Sequence, residues 1–494
     1  MSALSLSPLL EGFADAGALG DLRIRGLTLD SRQARPGDAF VALRGSRTHG
    51  IAFAADAVAR GATLVLAEAP AVAGFTPGVP VLWIDDLHAR LGEIAARFHG
   101  HPSRALRIVG VTGTNGKTST VQLLTQALSR LGHRAASIGT LGAGLYGQLD
   151  EGERTTPDAI SVQRLLAQFR DRSATHVAME VSSHALEQGR VGAVDFEVAA
   201  FTNLTRDHLD YHGTMAAYGA AKAKLFAWPG LKTAVVNVDD DFGRGLATRL
   251  PAGVRALRTS AADVGGAEVV AQAIATSAEG LAFTLSTPWG AQTIQSALLG
   301  RFNVDNLLAV AACLGALGEP FDRIVEVIGA LAPVNGRMNR LGGDGRHPLV
   351  VIDYAHTPDA LEQALVALRA HCAGRLVCVF GCGGERDAGK RPQMGAIAER
   401  LADVAIVTDD NPRGEDGDAI VAQILAGMQQ ATTVQRDRAA AIDVAIAQAG
   451  PDDVVLIAGK GHETYQEGAA GRRPFDDLAV ARAVLAQTAR ENHA

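Results

Sequence analysis

The stretch Gly110-Val-Thr-Gly-Thr-Asn-Gly-Lys-Thr118 constrains this chain more than any other. An apolar run, Leu106–Val111, precedes it. A helical pattern follows from about Thr118, with Leu123, Leu124, Ala127, Leu128 and Leu131 on one face. A Gly-rich turn between a strand and a helix aims backbone N–H groups and a helix N-terminus at one point, which makes an anion cradle. Lys117 is placed to reach the outer phosphates of a nucleotide, and the Thr118 hydroxyl to ligate Mg²⁺. The spacing departs from the usual phosphate loop, because Val111 stands five residues before Gly116 where a glycine is expected. The compact form still predicts ATP or GTP, with contacts from Gly113, Thr114, Asn115, Gly116, Lys117, Thr118 and Ser119. No guanine-reading Asn-Lys-x-Asp segment occurs, which argues against a GTPase.

At 494 residues the chain is too long for one core, and about three domains are expected. Lys and Arg number 46 against 53 Asp and Glu, so there is no basic excess of the kind nucleic-acid binders carry. Cys313, Cys372, Cys378 and Cys382 match no metal or redox spacing and read as thiols of a reducing compartment. The first positive charge is Arg23, so no secretory signal is expected, and the apolar run Leu307–Gly318 is too short to span a bilayer. A cytoplasmic protein without a membrane span follows as the expectation.

Three α/β blocks are expected, over residues 1–103, 104–341 and 342–494. The first has strands at Ala39–Leu43, Thr63–Ala67 and Val79–Ile84, a helix near Ala52–Arg60, and a hinge at His101-Pro-Ser103. The second is a mononucleotide-binding domain with further strands at Thr175–Val181, Phe196–Phe201 and Thr233–Val238, ending in a loop region, Pro333–Pro348. The third alternates strands at Leu349–Asp353, Leu376–Phe380, Val404–Thr408 and Val454–Ile457 with helices. That alternation predicts a doubly wound, Rossmann-like parallel sheet with ligand loops at the strand C-termini.

Two further polar segments lie near strand ends. Glu180, in Ala178-Met-Glu-Val-Ser-Ser-His184, offers the single carboxylate that Mg²⁺ takes beside phosphate oxygens. In Asn203-Leu-Thr-Arg-Asp-His-Leu-Asp-Tyr-His-Gly213, His208 could bind a second cation with Asp207 orienting its ring, and His212 is a weaker candidate.

The phosphate loop, Glu180 with Ser182-Ser-His184, Asn203 to His208, and Tyr218-Gly-Ala-Ala-Lys222 occur in that order, and together they resemble the central domain of the Mur ligase family. The resemblance implies that Lys222 carries a CO2-derived carbamate and ligates metal with Thr118, Glu180 and His208. It also implies catalytic roles for Lys117, Lys222, His208 and Arg337. Gly300-Arg-Phe-Asn-Val-Asp-Asn306 resembles the adenine segment, with Asn306 as the reader. In Asn335-Gly-Arg-Met338, Arg337 is implied to face the γ-phosphate. Asp353 is implied to hold the ribose, with His356 close to the phosphates.

The resemblance implies an ATP-dependent ligase of peptidoglycan precursor synthesis that activates a carboxylate as an acyl phosphate. The implied partners are UDP-N-acetylmuramoyl-L-alanyl-D-glutamate, meso-diaminopimelate and ATP, with Mg²⁺, acting on a monomer. Thr28-Leu-Asp-Ser-Arg32 resembles the UDP-binding N-terminal domain, with Leu29, Ser31, Ser46, Arg47 and Thr48 around the uridine diphosphate. Thr155, Thr156, Ser182, Gln188 and Arg190 match positions holding the muramoyl peptide, and Arg154 replaces an expected Asn. Asp410-Asn411-Pro412-Arg413 resembles the amino-acid loop of the diaminopimelate-adding member, with Arg386, Gly459 and Glu463 as further contacts. An Arg fork suits the far carboxylate of diaminopimelate. Lysine lacks that carboxylate, and rejection of lysine is expected because it would leave the guanidinium unpaired. The alternatives are a lysine-adding homologue, a folylpolyglutamate synthase, for which the N-terminal module has no use, and a P-loop NTPase switch.

Overall fold

The computed structural model describes residues 3–45, 48–152, 154–277 and 279–491. The chain divides into two compact units, Met1–Arg258 with Ala312–Gly318, and Thr259–Ala311 with Glu319–Ala494.

The first unit opens with four parallel strands in the order β1 (Gly26–Thr28), β2 (Asp38–Ala42), β3 (Leu64–Glu68) and β4 (Val81–Ile84). Alternate residues serve two cores, as the period of two dictates. Ala39, Val41, Leu64 and Leu66 pack with Leu87, Leu91 and Ile94 of α1 (Leu87–Phe98), while Phe40, Ala42, Val65 and Ala67 line the other face. The α1 core also takes in Ala159 and Ile160, so the first two sequence blocks share hydrophobic burial. The expected hinge is correspondingly tied down. Pro102 and Ser103 are buried in a short 3-10 turn, and the Ser103 hydroxyl donates to Asp195 Oδ2 at 2.9 Å.

The nucleotide-type sheet follows. Its strands include β5 (Arg107–Thr112), β6 (Ala135–Gly139), β7 (Gly142–Leu145), β8 (Gln148–Asp150), β9 (His176–Glu180), β10 (Phe196–Phe201) and β11 (Thr233–Asn237), which follow one another in the spatial order β8-β7-β6-β9-β5-β10-β11. β6, β9, β5, β10 and β11 are parallel, and β7 and β8 form an antiparallel edge. Helices α2 (Lys117–Arg130), α3 (Ala159–Asp171) and α4 (Met215–Ala223) belong to this region.

The second unit contains an antiparallel meander, β12 (Val269–Ser277), β13 (Gly280–Thr287) and β14 (Gly290–Ser296), which the sequence reading did not anticipate. The apolar run Leu307–Gly318 falls largely in helix α5 (Phe302–Ala316), where Leu307 through Leu314 are buried. Among the described residues no helix is long and apolar enough to cross a membrane. The segment expected as loop holds the antiparallel strand β15 (Asn339–Gly342), which pairs with β16 (Leu349–Asp353).

From β16 the chain runs α6 (Pro358–Arg369), β17 (Leu376–Phe380), α7 (Lys390–Leu401), β18 (Val404–Val407), α8 (Gly417–Leu425), β19 (Thr433–Val434), α9 (Arg438–Ala447) and β20 (Val454–Ala458). A hairpin, β21 (Tyr465–Gly468) and β22 (Gly471–Pro474), precedes α10 (Asp477–Glu491). The sheet order is β15-β16-β20-β17-β18-β19, parallel from β16 onward. Leu349, Val351, Cys378 and Leu456 face a core with Leu365, Met394 and Ile424 of α6, α7 and α8. Val350, Ile352, Val379 and Ile457 face a second core with Ile442 of α9 and Ala481 of α10. Helices on both faces make the doubly wound domain that the alternation predicted.

Between α9 and α10 the Arg438 guanidinium meets Asp477 through two 2.7 Å hydrogen bonds, with both side chains 0% exposed, and also donates to the Ala458 carbonyl at the end of β20. Removing one member of such a pair leaves an uncompensated buried charge. Asp477→Ala should therefore destabilise the protein by about 3–5 kcal/mol in denaturant unfolding. The double variant Arg438→Met/Asp477→Leu should recover at least half of that loss.

Candidate active site

Parallel strands β9, β5 and β10 end side by side, with Glu180 opposite Val111 and Phe201 opposite Thr112. The phosphate loop leaves the central strand as expected, and Gly116 takes φ +82° just before α2 begins at Lys117. The Lys117 ammonium donates to the carbonyls of Gly113 (2.9 Å) and Thr114 (2.8 Å), which folds it over its own loop. The neighbouring loop seals the cradle: the Asn115 N–H donates to Asn203 Oδ1 at 2.9 Å and the Thr202 hydroxyl to the Asn115 carbonyl at 2.6 Å.

Glu180 is 1% exposed, unlike most strand-end glutamates. Its Oε2 accepts from the Thr118 hydroxyl at 3.0 Å and its Oε1 from the Thr140 N–H at 2.7 Å. A carboxylate and a hydroxyl in contact beside a phosphate loop fit Mg²⁺, which takes few protein ligands. Among the described residues no group of three or more His, Cys, Asp or Glu could hold a metal. The contacts of His208 are of another kind. Its Nε2 lies 3.4 Å from Asp207 Oδ2, and its ring stands edge-on to His184, with Tyr218 6.0 Å away.

Lys222, on α4, is 1% exposed. Its Nζ donates to the Gly113 carbonyl at 2.7 Å and lies 4.3 Å from the centre of the Tyr218 ring. Burial first, and then the nearby Lys117 charge, pull this amine down to about 6. Thr156, Ser182, Gln188 and Arg190 form a hydrogen-bonded group that reaches the Glu180 main chain. The Thr156 hydroxyl donates to the Glu180 carbonyl (2.8 Å) and accepts from the Ser182 N–H (3.1 Å), while Arg190 donates to the Thr156 carbonyl (3.0 Å) and to Gln188. The Thr155 and Thr140 hydroxyls are 3.0 Å apart, and Arg154 is exposed. Further up the chain, Ser31 is buried at the head of a 3-10 turn, Leu29 packs against the α1 core, and Thr48 is exposed. Ser46 and Arg47 lie outside the described residues.

In the second unit the loops after β16, β20, β17 and β18 share one edge of the sheet. Asp353 Oδ2 accepts from the Met338 N–H at 2.9 Å, and burial pushes the Asp353 carboxyl up. That bond fixes the turn carrying Arg337, whose guanidinium lies 4.9 Å from the Tyr354 ring centre and whose buried Nε has no partner among the described residues. The His356 ring is tied to the Tyr354 carbonyl at 2.8 Å. Asn306 is buried in α5, with its amide donating to Asn303 at 2.8 Å.

The loop Asp410–Arg413 is gripped from three sides. Asn411 donates to Glu463 Oε2 (2.8 Å), and its Oδ1 accepts from Lys460 (2.9 Å) and from the Glu467 N–H (2.9 Å). Asp410 and Gly459 approach closely, since a Cβ on Gly459 would stand 3.2 Å from Asp410 Oδ2. Gly384 must lack a side chain, because a Cβ there would sit 1.9 Å from the Pro412 carbonyl. Arg413 takes φ +52°, a strained conformation for a bulky residue that its surroundings enforce. Its Nη1 donates to the Gly384 carbonyl at 2.8 Å, and its Nε lies 3.4 Å from Glu467 Oε2. The expectation of a guanidinium left unpaired without substrate is corrected here, because Glu467 already neutralises it. Arg386, on the adjacent loop, is exposed. Sequence reasoning passed over Lys460, which is 0% exposed and pairs with Glu463 at 3.0 Å, although it stands inside the quoted Gly459-Lys-Gly-His-Glu463.

Three family models match the chain. Residues 23–99 match the Mur ligase family catalytic domain, 111–314 the Mur ligase middle domain, and 336–461 the Mur ligase glutamate ligase domain. A relative from Xanthomonas campestris, named UDP-N-acetylmuramoyl-L-alanyl-D-glutamate--2,6-diaminopimelate ligase, is 60% identical over 98% of this chain and 97% of its own. A relative of the same name from Pseudomonas aeruginosa is 53% identical over 94% of this chain and 96% of its own. A solved structure of a ligase of that name superposes with a TM-score of 0.75 at 37% identity, covering 99% of both chains. A folylpolyglutamate synthase of Mycobacterium tuberculosis, solved with ADP and AMPPCP, shares the fold at 19% identity, with a TM-score of 0.60 over 75% of this chain and 92% of its own.

The Lys222 amine titrates near 6 when folded and near 10.5 when exposed. Between those values the unfolded chain binds the extra proton, so this residue's burial opposes folding most below pH 6 and progressively less up to pH 10.5. In CO2-free buffer, Lys222→Met should raise the melting temperature by several degrees at pH 6, and the gain should shrink steadily towards pH 10. A gain that does not vary with pH would contradict this account.

Proposed function

The chain belongs to the Mur ligase family, and from that premise we propose that it joins meso-2,6-diaminopimelate to the D-glutamate carboxylate of UDP-N-acetylmuramoyl-L-alanyl-D-glutamate, using ATP. The observation carrying the choice of amine is the pair of opposite charges around Asn411. Glu463 accepts from the Asn411 amide at 2.8 Å, and Arg413 donates to the Asn411 carbonyl at 3.5 Å. A carboxylate and a guanidinium at one strand end suit the far zwitterionic head of diaminopimelate, where lysine ends in an ammonium alone. Identity of 60% to a ligase so named favours this reading over the lysine-adding and folate alternatives.

In the reaction, a D-glutamate carboxylate oxygen attacks the γ-phosphorus of ATP and ADP leaves, giving an acyl phosphate. The neutral amine of diaminopimelate then attacks the carbonyl carbon. The tetrahedral intermediate collapses with cleavage of the C–O bond to phosphate, and the amine's proton passes to solvent. Loop N–H groups from Gly113 to Ser119 and the Lys117 ammonium hold the nucleotide phosphates. Arg337 offsets charge on the transferred phosphoryl group. Asn306 reads adenine and Asp353 holds the ribose. Thr118 and Glu180 would hold Mg²⁺, which supplies neutralisation of phosphate charge, with His208 serving a second cation. Leu29, Ser31, Ser46, Arg47 and Thr48 take the uridine diphosphate. Arg154, Thr155, Thr156, Ser182, Gln188 and Arg190 take the muramoyl dipeptide. Arg386, Asp410 to Arg413, Gly459 and Glu463 take the amino acid.

Lys222 becomes a carbamate in this reading. Only a neutral amine attacks CO2, and an amine lowered to about 6 is mostly neutral at pH 7. The carbamate converts a buried neutral amine into an anion that can ligate metal, the displaced proton passing to solvent, with Tyr218 and the Gly113 carbonyl fixing its position. A cytoplasmic location and a monomeric working form belong to the same proposal.

ADP release should require ATP, Mg²⁺, the UDP-linked dipeptide and diaminopimelate together, and lysine should give a kcat/KM lower by about tenfold or more, the margin of a two-bond charged clamp over a partly exposed ion pair. Arg413→Ala should lower kcat/KM for diaminopimelate by about a hundredfold while ATP affinity is kept. Unchanged turnover in that variant would remove Arg413 from the site. With ¹³C-bicarbonate, a carbamate resonance should appear that is missing in Lys222→Ala. Its absence from the wild-type protein would rule out the modification.

A further inference from the structure

The β21–β22 hairpin is bound to the amino-acid loop by main chain and side chain alike. The Arg413 N–H donates to the Glu467 carbonyl (3.0 Å), the Glu467 N–H to Asn411 Oδ1 (2.9 Å), and Gln466 Nε2 to the Asp410 carbonyl (2.7 Å). These bonds bring the Glu467 carboxylate to the Arg413 guanidinium, 3.4 Å from Nε, with the two side chains 18% and 28% exposed. The Nη1 end of the fork is committed to the Gly384 carbonyl. A carboxylate arriving to take two parallel hydrogen bonds must therefore use the Nε edge, which Glu467 holds. The other oxygen of Glu467 lies 3.6 Å from Nε of Arg472, whose side chain is 62% exposed. Glu467 thus stands between two guanidiniums, one recessed at the sheet edge and one facing solvent.

We propose that Glu467 is a displaceable stand-in for the substrate: it occupies Arg413 in the empty site, and the far carboxylate of the incoming amino acid displaces it towards Arg472. The inference rests on the amino-acid site proposed above. One ion pair is exchanged for another, so the guanidinium is never left without an anion and Arg472 keeps Glu467 partnered after release. Only an amine bearing a second carboxylate can drive the exchange. Lysine leaves the internal pair closed and gains nothing from Arg413.

Glu467→Gln removes the competing charge while keeping the side chain's shape. The KM for diaminopimelate should fall roughly three- to fivefold, the range that one partly exposed ion pair supplies, with kcat and the KM for ATP unchanged. The kcat/KM for lysine should not rise. Arg472→Ala should act in the opposite sense, raising the KM for diaminopimelate roughly two- to threefold, because the displaced carboxylate loses its second partner. A merely structural role for Glu467 predicts a higher KM and a lower melting temperature instead. If Glu467→Gln fails to fold, Arg472→Ala carries the test, and an unchanged KM in it overturns the exchange. Wild-type enzyme that turns over diaminopimelate beside a Glu467→Gln variant with unchanged or raised KM overturns this inference alone. Wild-type enzyme with no turnover of diaminopimelate overturns the substrate assignment and this inference with it.

Discussion

Parallel pairing of β-strands is the constraint on which everything else here depends. Strands that run the same way cannot be joined by tight hairpins, so each returns through a crossover, and every exit loop falls on one edge of its sheet. In the first unit that edge collects the phosphate loop after β5, Glu180 at the end of β9, and the Asn203–His208 segment after β10. In the second it collects Asp353, Gly381–Arg386, Asp410–Arg413 and Gly459–Glu463. Chemistry dispersed over more than a hundred residues of sequence becomes local because the ladders put it there.

Charges carried into these edges are handled in two ways. Arg438 and Lys460, both 0% exposed, are met by carboxylates, which is the usual requirement for burying an ion. Lys222 is treated differently. Its hydrogen bond goes to a carbonyl, its nearest strong electrostatic influence after burial is another cation, and its amine is driven towards neutrality. Elsewhere that would be a defect. Beside a phosphate loop, and in the proposed reaction, it leaves a nucleophilic amine at the place where a fixed negative charge would be useful.

Much of this was legible in sequence, and the failures have physical causes. Strands such as Phe196–Phe201 and Leu376–Phe380 are apolar runs between turns, which is how strands buried on both faces read. β15 was read as loop because four residues bracketed by glycine and asparagine carry no periodic signal, and only the neighbouring β16 makes them a strand. The burial of Lys222 could not be read from an alanine-rich helix alone, although a trace was present. Gly219 lets α4 close on Phe242, whose ring carbon would stand 2.5 Å from an added Cβ. The partnership of Glu467 with Arg413 spans 54 positions and depends on hairpin register, which no local pattern encodes.

That partnership changes how selectivity must be understood at this edge. A recognition group held in reserve without a partner would reject the wrong ligand through the cost of its own unmet charge. Here both groups of the proposed amino-acid site are satisfied within the chain itself, Arg413 by Glu467 and Glu463 by Lys460 and Asn411. In the proposed exchange the wrong amine is therefore not repelled; it fails to open what is already closed. Discrimination then equals the difference between a two-bond carboxylate clamp and the single 3.4 Å contact it replaces, so it depends on geometry as much as on charge. The strained backbone of Arg413, at φ +52°, belongs to the same arrangement, because it fixes the fork against Gly384 and leaves one edge for either carboxylate.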